Sequence, residues 1–311
     1  MNDAALISRI ERAIEQIAPR ATIQRVWPLL GGNSANVQAC EVALPDGQTR
    51  RFVIRIVSDY RRGKHANAAW REFATIGAMY DAGIPVPRPC LLESLTDDVP
   101  APFYVLEFAE GAPELAPADR AAFLSQSASC LASVHRAEIT ATLRDLLPPL
   151  GLSPTRERVA DANRLRVHEI LAALGTPPSE AHANLPTLCH GDFWPGNLLW
   201  RDGELVAVLD WEEAAIGEPL FDVAIARLDL MFILDAEAAE QFTQAYGACA
   251  GCDLHNLPYW DLIAALRPIA RIEKWAEAYP HLGRSDVTTA TMIQAHQAFV
   301  ARALAAWPPA R

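Results

Sequence analysis

The chain has 311 residues, of which 51% are hydrophobic, 8% aromatic and 21% charged. This balance is typical of soluble globular proteins and supplies enough apolar side chains for one large domain or two lobes. The formal net charge of −11 disfavours binding to nucleic acid or to an anionic membrane, because both need a basic protein face. A cationic or neutral small-molecule partner fits this charge better.

The N-terminal segment predicts an amphipathic helix and not a signal peptide. Leu6, Ile10, Ile14 and Ile17 recur at helical spacing. Charged residues between them leave no continuous apolar stretch of the kind that a signal peptide requires. No run of about eighteen apolar residues occurs in the sequence, which predicts no membrane span. We therefore expect a cytoplasmic protein.

The next part of the chain predicts a β-sheet. Residues 22–30, 36–44 and 50–57 are rich in strand-forming side chains. Asp46-Gly47 lies between the last two segments, and an Asp-Gly pair between two β-rich runs is a strong hairpin signal.

A helix and a further strand follow. Residues 68–83 predict a helix with one apolar stripe. The stripe is formed by Trp70, Phe73, Ile76, Met79 and Tyr80. A proline-stiffened connector leads from this helix to a predicted strand within residues 102–111.

Beyond Gly111 the pattern becomes mainly helical. The predicted helices span residues 117–136, 155–175, 218–232, 235–247, 258–278 and 285–306. A second hairpin, centred on Asp202-Gly203, interrupts them. The sequence therefore predicts a bilobal α+β protein. Its β-rich N-terminal lobe would span residues 1–106, a linker 107–113, and a larger helical lobe 114–311.

Six cysteines are scattered along the chain, and free thiols are the expected state. Cys249 and Cys252 form a CxxC pair. A single pair has no second pair to complete a zinc site, and this one lacks the strand-to-helix context of a redox motif.

The segment with the clearest chemical content is residues 189–222, which contains HGDFWPGN and then a hairpin that ends in Asp210. Pro195-Gly196 breaks any helix, so Asp192 and Asn197 are expected on a loop. Phosphoryl transfer needs a carboxylate beside the attacking hydroxyl and oxygen ligands for Mg²⁺. Asp192 is the candidate carboxylate. The hairpin would bring Asn197 and Asp210 together as a site for a hard cation.

The same spacing occurs in the catalytic loop of protein kinases, H-R-D-x-x-x-x-N. HGD-x-x-x-x-N followed by a hairpin ending in Asp resembles the aminoglycoside phosphotransferase and choline kinase-like family over nearly the whole chain. The resemblance implies a protein-kinase-like fold with ATP bound between two lobes. It assigns Asp192 as the catalytic base and Asn197 and Asp210 as Mg²⁺ ligands. It makes Asp222 chiefly structural.

The resemblance also assigns nucleotide-binding positions in the N-terminal lobe. Gly31 and Gly32 would let backbone N–H groups approach phosphate, with Ser34 as a further donor. Arg55 stands where protein kinases carry a strand lysine, and Glu72 matches the helix glutamate that pairs with it.

In the linker, which the resemblance makes the hinge, backbone groups of Glu107 and Ala109 would hold adenine. The departure from lysine to Arg55 matters because guanidinium and ammonium groups are not interchangeable. Arg55 can still contact phosphates.

Several alternatives remain open from the sequence. His190 is expected to orient the loop, and Glu212, Glu213 and Asp229 could line a pocket for a cationic substrate or could be solvated. The acceptor could be an aminoglycoside, macrolide, choline, homoserine or sugar-like compound. Two rival functions are a catalytically silent nucleotide-binding module and a metal-dependent hydrolase that uses His190, Asp192 and Asp210.

Overall fold

A computed structural model describes residues 3–29, 35–57, 67–93, 102–151, 163–175 and 184–307. The chain divides into two units, Met1–Glu110 and Gly111–Arg311. No helix within the described ranges is both long enough and apolar enough to cross a membrane.

The N-terminal unit is built on an antiparallel five-stranded sheet with the strand order β1-β2-β3-β5-β4. Its helices and strands are α1 (Asp3–Ile17), β1 (Thr22–Pro28), β2 (Ala35–Ala43), β3 (Thr49–Val57), α2 (Ala68–Asp81), β4 (Pro89–Glu93) and β5 (Phe103–Glu107). The predicted β-rich N-terminal part is therefore confirmed.

The predicted hairpin joins β2 to β3, with Ala43 opposite Thr49. Gly47 has a φ of +84°, a conformation that glycine adopts without the steric cost of a Cβ atom. The backbone N–H of Leu44 donates to the carbonyl of Gln48 at 2.8 Å and closes the turn.

Helix α1 packs against the sheet and contributes to the apolar core of this unit. Ile10 and Ile14, predicted to share one face, are both buried against the sheet residues Phe52, Ile54 and Val105. Burial of these large side chains is the main stabilising contribution to such a core.

The predicted apolar stripe on α2 is only partly correct. Ile76 and Met79 are buried, but Trp70 and Tyr80 are each 43% exposed. The buried face instead includes the charged residue Glu72. The pattern misassigned this face because a buried carboxylate with polar partners looks like a surface position when only hydrophobicity is counted.

The C-terminal unit is mainly helical, as predicted. Its helices are α3 (Arg120–Arg136), α4 (Ala141–Leu146), α5 (Val167–Leu174), α6 (Leu220–Ile233), α7 (Ala236–Ala250), α8 (Leu257–Ala264), α9 (Ile272–Ala276) and α10 (Thr289–Ala306). Its strands are β6 (Ala112–Pro113), β7 (Thr187–Cys189), β8 (Leu198–Arg201), β9 (Glu204–Val208) and β10 (Ala215–Gly217). Helix α6 is almost entirely buried and packs against α7 and α8.

Several helix predictions in this unit need correction. Of the helix predicted over 155–175, the described residues 163–166 form turns and only Val167–Leu174 is helical, whereas the helix predicted from residue 285 begins at Thr289. The helix predicted from residue 117 begins at Arg120, because the Asp119 side chain caps it by accepting from the N–H of Ala122 at 2.9 Å. The single helix predicted over 258–278 is two helices, α8 and α9, separated by turns. Pro268 cannot donate a helical hydrogen bond, and Ala270 has a φ of +59°.

The predicted second hairpin is present as β8 and β9. Asp202 and Gly203 both have positive φ, as a tight two-residue turn requires. The short strand β7 precedes this hairpin in the sequence and β10 follows it, and these two strands pair with each other. Strand β6 pairs with β8. These pairings hold both ends of the segment between β7 and β10, which contains the candidate catalytic residues.

Candidate active site

The loop after β7 contains the HGDFWPGN motif and ends in one turn of 3₁₀-helix, Pro195–Asn197. Pro195 starts this turn, where its missing N–H costs no hydrogen bond. The Trp194 ring lies over Gly196 so closely that a Cβ atom at this position would lie 2.1 Å from it. A larger residue at position 196 would therefore have to displace the Trp194 ring.

His190 holds the loop in shape. Its Nδ1 atom accepts from the backbone N–H of Asp192 at 3.2 Å, so the ring proton lies on Nε2, which donates to the carbonyl of Leu209 at 2.9 Å. Burial lowers the pKa of His190, although the charges of Asp222 and Asp192 act in the opposite direction. The neutral imidazole thus links the loop to the end of β9.

Asp222, on the first turn of α6, anchors the start of the loop. One carboxylate oxygen accepts from the N–H of His190 at 2.6 Å and the other from the N–H of Gly191 at 2.8 Å. The Nε2 atom of His135 lies 3.1 Å from the same carboxylate. Burial alone would raise the pKa of Asp222, but these hydrogen bonds and the nearby histidines lower it below its usual value.

Gly191 has a φ of +84°, and a Cβ atom there would lie 2.3 Å from the backbone oxygen of Glu213. The loop and the turn after β9 therefore touch through their backbones. Both the conformation and the space exclude any other residue at this position.

Asp192 emerges from this loop with its carboxylate held on both sides. The amide nitrogen of Asn197 donates to the backbone oxygen of Asp192 at 3.0 Å and lies 3.3 Å from its Oδ2 atom. Arg267 donates from Nη2 to Oδ1. Asp192 is half-buried, so one side of the carboxylate still faces solvent.

Asn197 and Asp210 are neighbours through the β8–β9 hairpin. Leu198 pairs with Val208, and the N–H of Leu209 donates to the carbonyl of Asn197 at 2.8 Å. Asp210 follows with a φ of +63°, a conformation that costs free energy for a residue with a Cβ atom and that concentrates at functional positions.

The donor set of this pair suits a hard cation. Because the amide nitrogen of Asn197 is directed at Asp192, its amide oxygen points elsewhere and can serve as a ligand. Asp210 adds a carboxylate. Amide and carboxylate oxygens are the ligands that Mg²⁺ prefers.

Asp229, one of the three acidic residues considered for a cation pocket, lies close to Asp192. It is buried on α6, and burial raises its pKa to about 7, with Arg267 opposing and Asp192 reinforcing the shift. Glu213 is exposed beside the loop, and Glu212 is half-buried. The charges of Asp229 and Asp192 thus act on each other, so the two carboxyl groups are linked electrostatically.

In the N-terminal unit, the predicted pair of Arg55 and Glu72 is formed. Nε of Arg55 donates to a carboxylate oxygen of Glu72 at 3.0 Å, and both side chains are largely buried. The Tyr104 hydroxyl donates to the same oxygen at 2.8 Å. Glu72 is thereby held by two donors from neighbouring strands.

Of the other residues predicted to bind nucleotide, two lie within the described part of the chain, Glu107 and Ala109. Glu107 ends β5, and its backbone N–H donates to the carbonyl of Arg88 at 2.9 Å. Glu107 can therefore offer adenine its carbonyl group but not its N–H group. Ala109 follows β5 in irregular structure. Gly31, Gly32 and Ser34 lie outside the described residues.

Three residues that contact the predicted residues were not predicted from the sequence: Tyr104 in the N-terminal unit, and His135 and Arg267 in the C-terminal unit. His135 is buried, with the Tyr246 hydroxyl 2.7 Å from Nδ1 and Asp222 at Nε2. Arg267 lay within a predicted helix. No sequence motif marks any of the three.

His135, Cys189 and Asp222 form a cluster of three possible metal ligands, the one such group of His, Cys, Asp or Glu side chains among the described residues. Hydrogen bonds explain this cluster better than a metal does, because both carboxylate oxygens of Asp222 already accept from N–H groups. The metal-dependent hydrolase considered above therefore gains no support from it. The thiol of Cys252 donates to Tyr246 at 3.6 Å and extends this hydrogen-bonded chain, so the CxxC residue has a packing role.

The fold matches solved phosphotransferase structures along the chain. Spectinomycin phosphotransferase, in complex with ADP and spectinomycin, aligns with a TM-score of 0.64 at 14% identity and covers 96% of this chain and 98% of its own. The macrolide 2′-phosphotransferase of Brachybacterium faecium aligns with a TM-score of 0.58 at 18% identity, covering 99% of both chains. The protein thus has the α+β protein-kinase-like fold predicted from its sequence.

The chain belongs to the phosphotransferase enzyme family, whose model matches residues 33–268. The resemblance found in the sequence is confirmed by this match.

Curated relatives have longer chains and different names. "Acyl-CoA dehydrogenase family member 11" of Homo sapiens is 31% identical over 172 residues, which is 50% of this chain and 22% of that protein. The Rattus norvegicus protein of the same name is 30% identical over 231 residues, which is 63% of this chain and 29% of its own. The chain thus spans less than a third of the length of these relatives.

Proposed function

We propose that this protein transfers the γ-phosphoryl group of ATP to a hydroxyl group of a small molecule. The observation that carries the proposal is the arrangement of one loop and one hairpin in a member of the phosphotransferase family. The loop presents Asp192, and the hairpin brings Asn197 and Asp210 together beside it.

Asp192 would orient the acceptor hydroxyl and accept its proton as the oxygen attacks. Its position supports this role, because Asn197 and Arg267 fix the carboxylate while part of it stays open to solvent. A fixed carboxylate lowers the entropic cost of orienting the hydroxyl, and this positioning accounts for most of the catalysis in phosphoryl transfer.

Asn197 and Asp210 would hold Mg²⁺ through one amide oxygen and one carboxylate. When bound there, the ion supplies positive charge to the phosphate oxygens of ATP. The uncommitted amide oxygen of Asn197 and the unusual backbone conformation of Asp210 support this assignment.

In the N-terminal unit, Arg55 would contact the phosphates, and Glu72 and Tyr104 would hold it in place. Their hydrogen bonds support the assignment. The carbonyl of Glu107 and the N–H of Ala109 would bind adenine, and Gly31, Gly32 and Ser34 would cover the phosphates. Segment 107–113 would act as the hinge.

The proposal is tested by steady-state kinetics with a panel of hydroxyl acceptors. The panel includes aminoglycosides, choline, homoserine and sugars, and hydroxyacyl thioesters of coenzyme A because of the names of the curated relatives. In Asp192→Asn, turnover should fall by about a hundredfold or more while ATP affinity changes only a few fold. Asp253→Asn, an exposed loop substitution in the same unit, is the control. Near wild-type turnover in Asp192→Asn would contradict the assigned role.

A further inference from the structure

Arg267 lies in the turns that separate α8 from α9, where a continuous helix was expected. Its backbone N–H donates to the carbonyl of Ala264 at 2.9 Å, a three-residue spacing typical of a tightening helix end. Pro268 follows and prevents the helix from continuing. The break directs the long side chain of Arg267 to the loop that carries Asp192.

The guanidinium of Arg267 is only partly used by the protein. Nη2 donates to Asp192, but Nε and Nη1 donate to no acceptor in the described part of the chain. The side chain is 24% exposed, so part of it is open to a ligand. The Trp275 ring, 5.9 Å from the guanidinium carbon, supports one face of the group.

Three carboxylates act on Arg267: Asp192, which forms an ion pair with it, and the nearby Asp229 and Asp222. Burial lowers the pKa of Arg267, but these charges raise it above its ordinary value, so the guanidinium stays charged. Because burial raises the pKa of Asp229 to about 7, this carboxyl group is partly protonated at neutral pH. Tyr279, near Asp229, is buried, and burial raises its pKa, so it remains neutral. Arg267 is therefore a permanent cation beside Asp192, and it repels an ammonium group placed against its guanidinium.

We propose that Arg267 is a specificity-determining residue that binds a carboxylate of the acceptor close to its reacting hydroxyl. The inference rests on the function proposed above, since it places the acceptor at Asp192. The acceptor class is then a hydroxy acid, and an amino alcohol of the same size is disfavoured because its ammonium group meets the guanidinium. The preference for a hydroxy acid depends on the guanidinium of Arg267 and not on the formal net charge of −11 of the whole chain.

Planar guanidinium groups match carboxylate geometry, and a charged hydrogen bond of this kind contributes about tenfold or more in affinity. Asp192 and the acceptor carboxylate would then share one guanidinium through different N–H groups. The acceptor hydroxyl would then lie at the solvent-exposed part of the Asp192 carboxylate, away from the amide group of Asn197.

The test compares three probes of similar size with the whole 311-residue chain: 3-hydroxybutyrate, 1,3-butanediol and 4-amino-2-butanol. Binding is followed by NMR on the Nε–Hε resonance of Arg267, which is assigned by its absence from Arg267→Lys. The wild-type protein should bind the anionic probe about tenfold more tightly than the cationic one, with the neutral probe between them. The Nε–Hε resonance should shift on binding of the anionic probe.

In Arg267→Gln the preference for the anionic probe should disappear, and in Arg267→Lys it should be reduced but present, because the charge remains without the planar fork. Arg120→Gln removes a half-buried arginine of the same unit that pairs with Asp235 and should leave the preference unchanged. Equal or tighter binding of the cationic probe, absence of binding by the anionic probe, or survival of the preference in Arg267→Gln would each overturn the proposal.

The binding measurement contains no ATP, so its result is separate from phosphoryl transfer. If the anionic preference depends on Arg267 but no acceptor is phosphorylated, the proposed function fails and the carboxylate site stands. If acceptors are phosphorylated with no dependence on Arg267 and no preference for an anion, the proposed function stands and the specificity assignment fails.

Discussion

Replacing Asp222 by Asn tests whether one buried carboxylate holds the candidate catalytic loop. The side chain accepts from two backbone N–H groups, those of His190 and Gly191, and contacts His135. An asparagine of nearly the same shape keeps one acceptor oxygen and turns an amide N–H₂ group toward one of these donors. It also removes the negative charge.

The expected cost follows from these contacts. A buried donor left without an acceptor costs about 1–3 kcal/mol, and loss of the charge weakens the remaining bonds. We expect the free energy of unfolding to fall by about 3 kcal/mol at pH 7 in Asp222→Asn. Activity should fall as well, because Asp192 lies on the same loop.

The pH dependence has a definite sign. The folded-state pKa of Asp222 lies below its ordinary value of 3.8, so its stabilising contribution is present above about pH 4 and is lost as the pH falls further. The difference between wild type and Asp222→Asn should therefore shrink below pH 4.

Urea unfolding at pH 7 and at about pH 3.5 measures both effects. Asp253→Asn is the matched control, because Asp253 is exposed and accepts one backbone N–H, from His255 at 2.8 Å. It should cost less than about 1 kcal/mol. A loss in Asp222→Asn no larger than in this control would refute the role of Asp222 as an anchor.

Three further outcomes are expected. Gly191→Ala should destabilise the protein by more than about 2 kcal/mol, whereas Gly203→Ala, with similar φ but open space, should cost only about 1 kcal/mol in urea unfolding; equal losses would contradict the packing argument. Tyr104→Phe removes a donor to Glu72 and should cost about 1–2 kcal/mol, measured in the same way; no loss would show that the bond is unimportant. Since the folded-state pKa of Asp229 is raised to about 7, the stability of the wild type should fall relative to Asp229→Asn between pH 5 and pH 8, and a constant difference would contradict that pKa.

Much of the fold was predictable because local signals agreed with the tertiary structure. Asp46-Gly47 and Asp202-Gly203 marked two hairpins, and both formed with glycine at positive φ. The apolar positions Ile10 and Ile14 correctly predicted the buried face of α1. At these positions backbone conformation and burial depend on few neighbouring residues, so the sequence pattern carried the necessary information.

The parts that were missed depend on contacts between distant residues. Arg267 reaches Asp192 across 75 positions of the chain, and His135 lies 87 positions from Asp222. The helical spacing of residues 258–278 also predicted Arg267 inside a helix, whereas Pro268 interrupts the helix next to it. Long-range polar contacts of this kind leave no local pattern, so they became visible only in the folded structure.

We propose that Asp210, at the end of the β8–β9 hairpin, holds the Mg²⁺ ion that accompanies ATP. Isothermal titration of ATP at several Mg²⁺ concentrations into wild type, Asp210→Asn and Asp202→Asn tests it most directly. Both aspartates have positive φ, which asparagine tolerates, so the two substitutions are matched in backbone. We predict Mg²⁺-dependent binding in wild type and Asp202→Asn and its loss in Asp210→Asn. Binding that is absent from the wild type, or unchanged in Asp210→Asn, would contradict the claim.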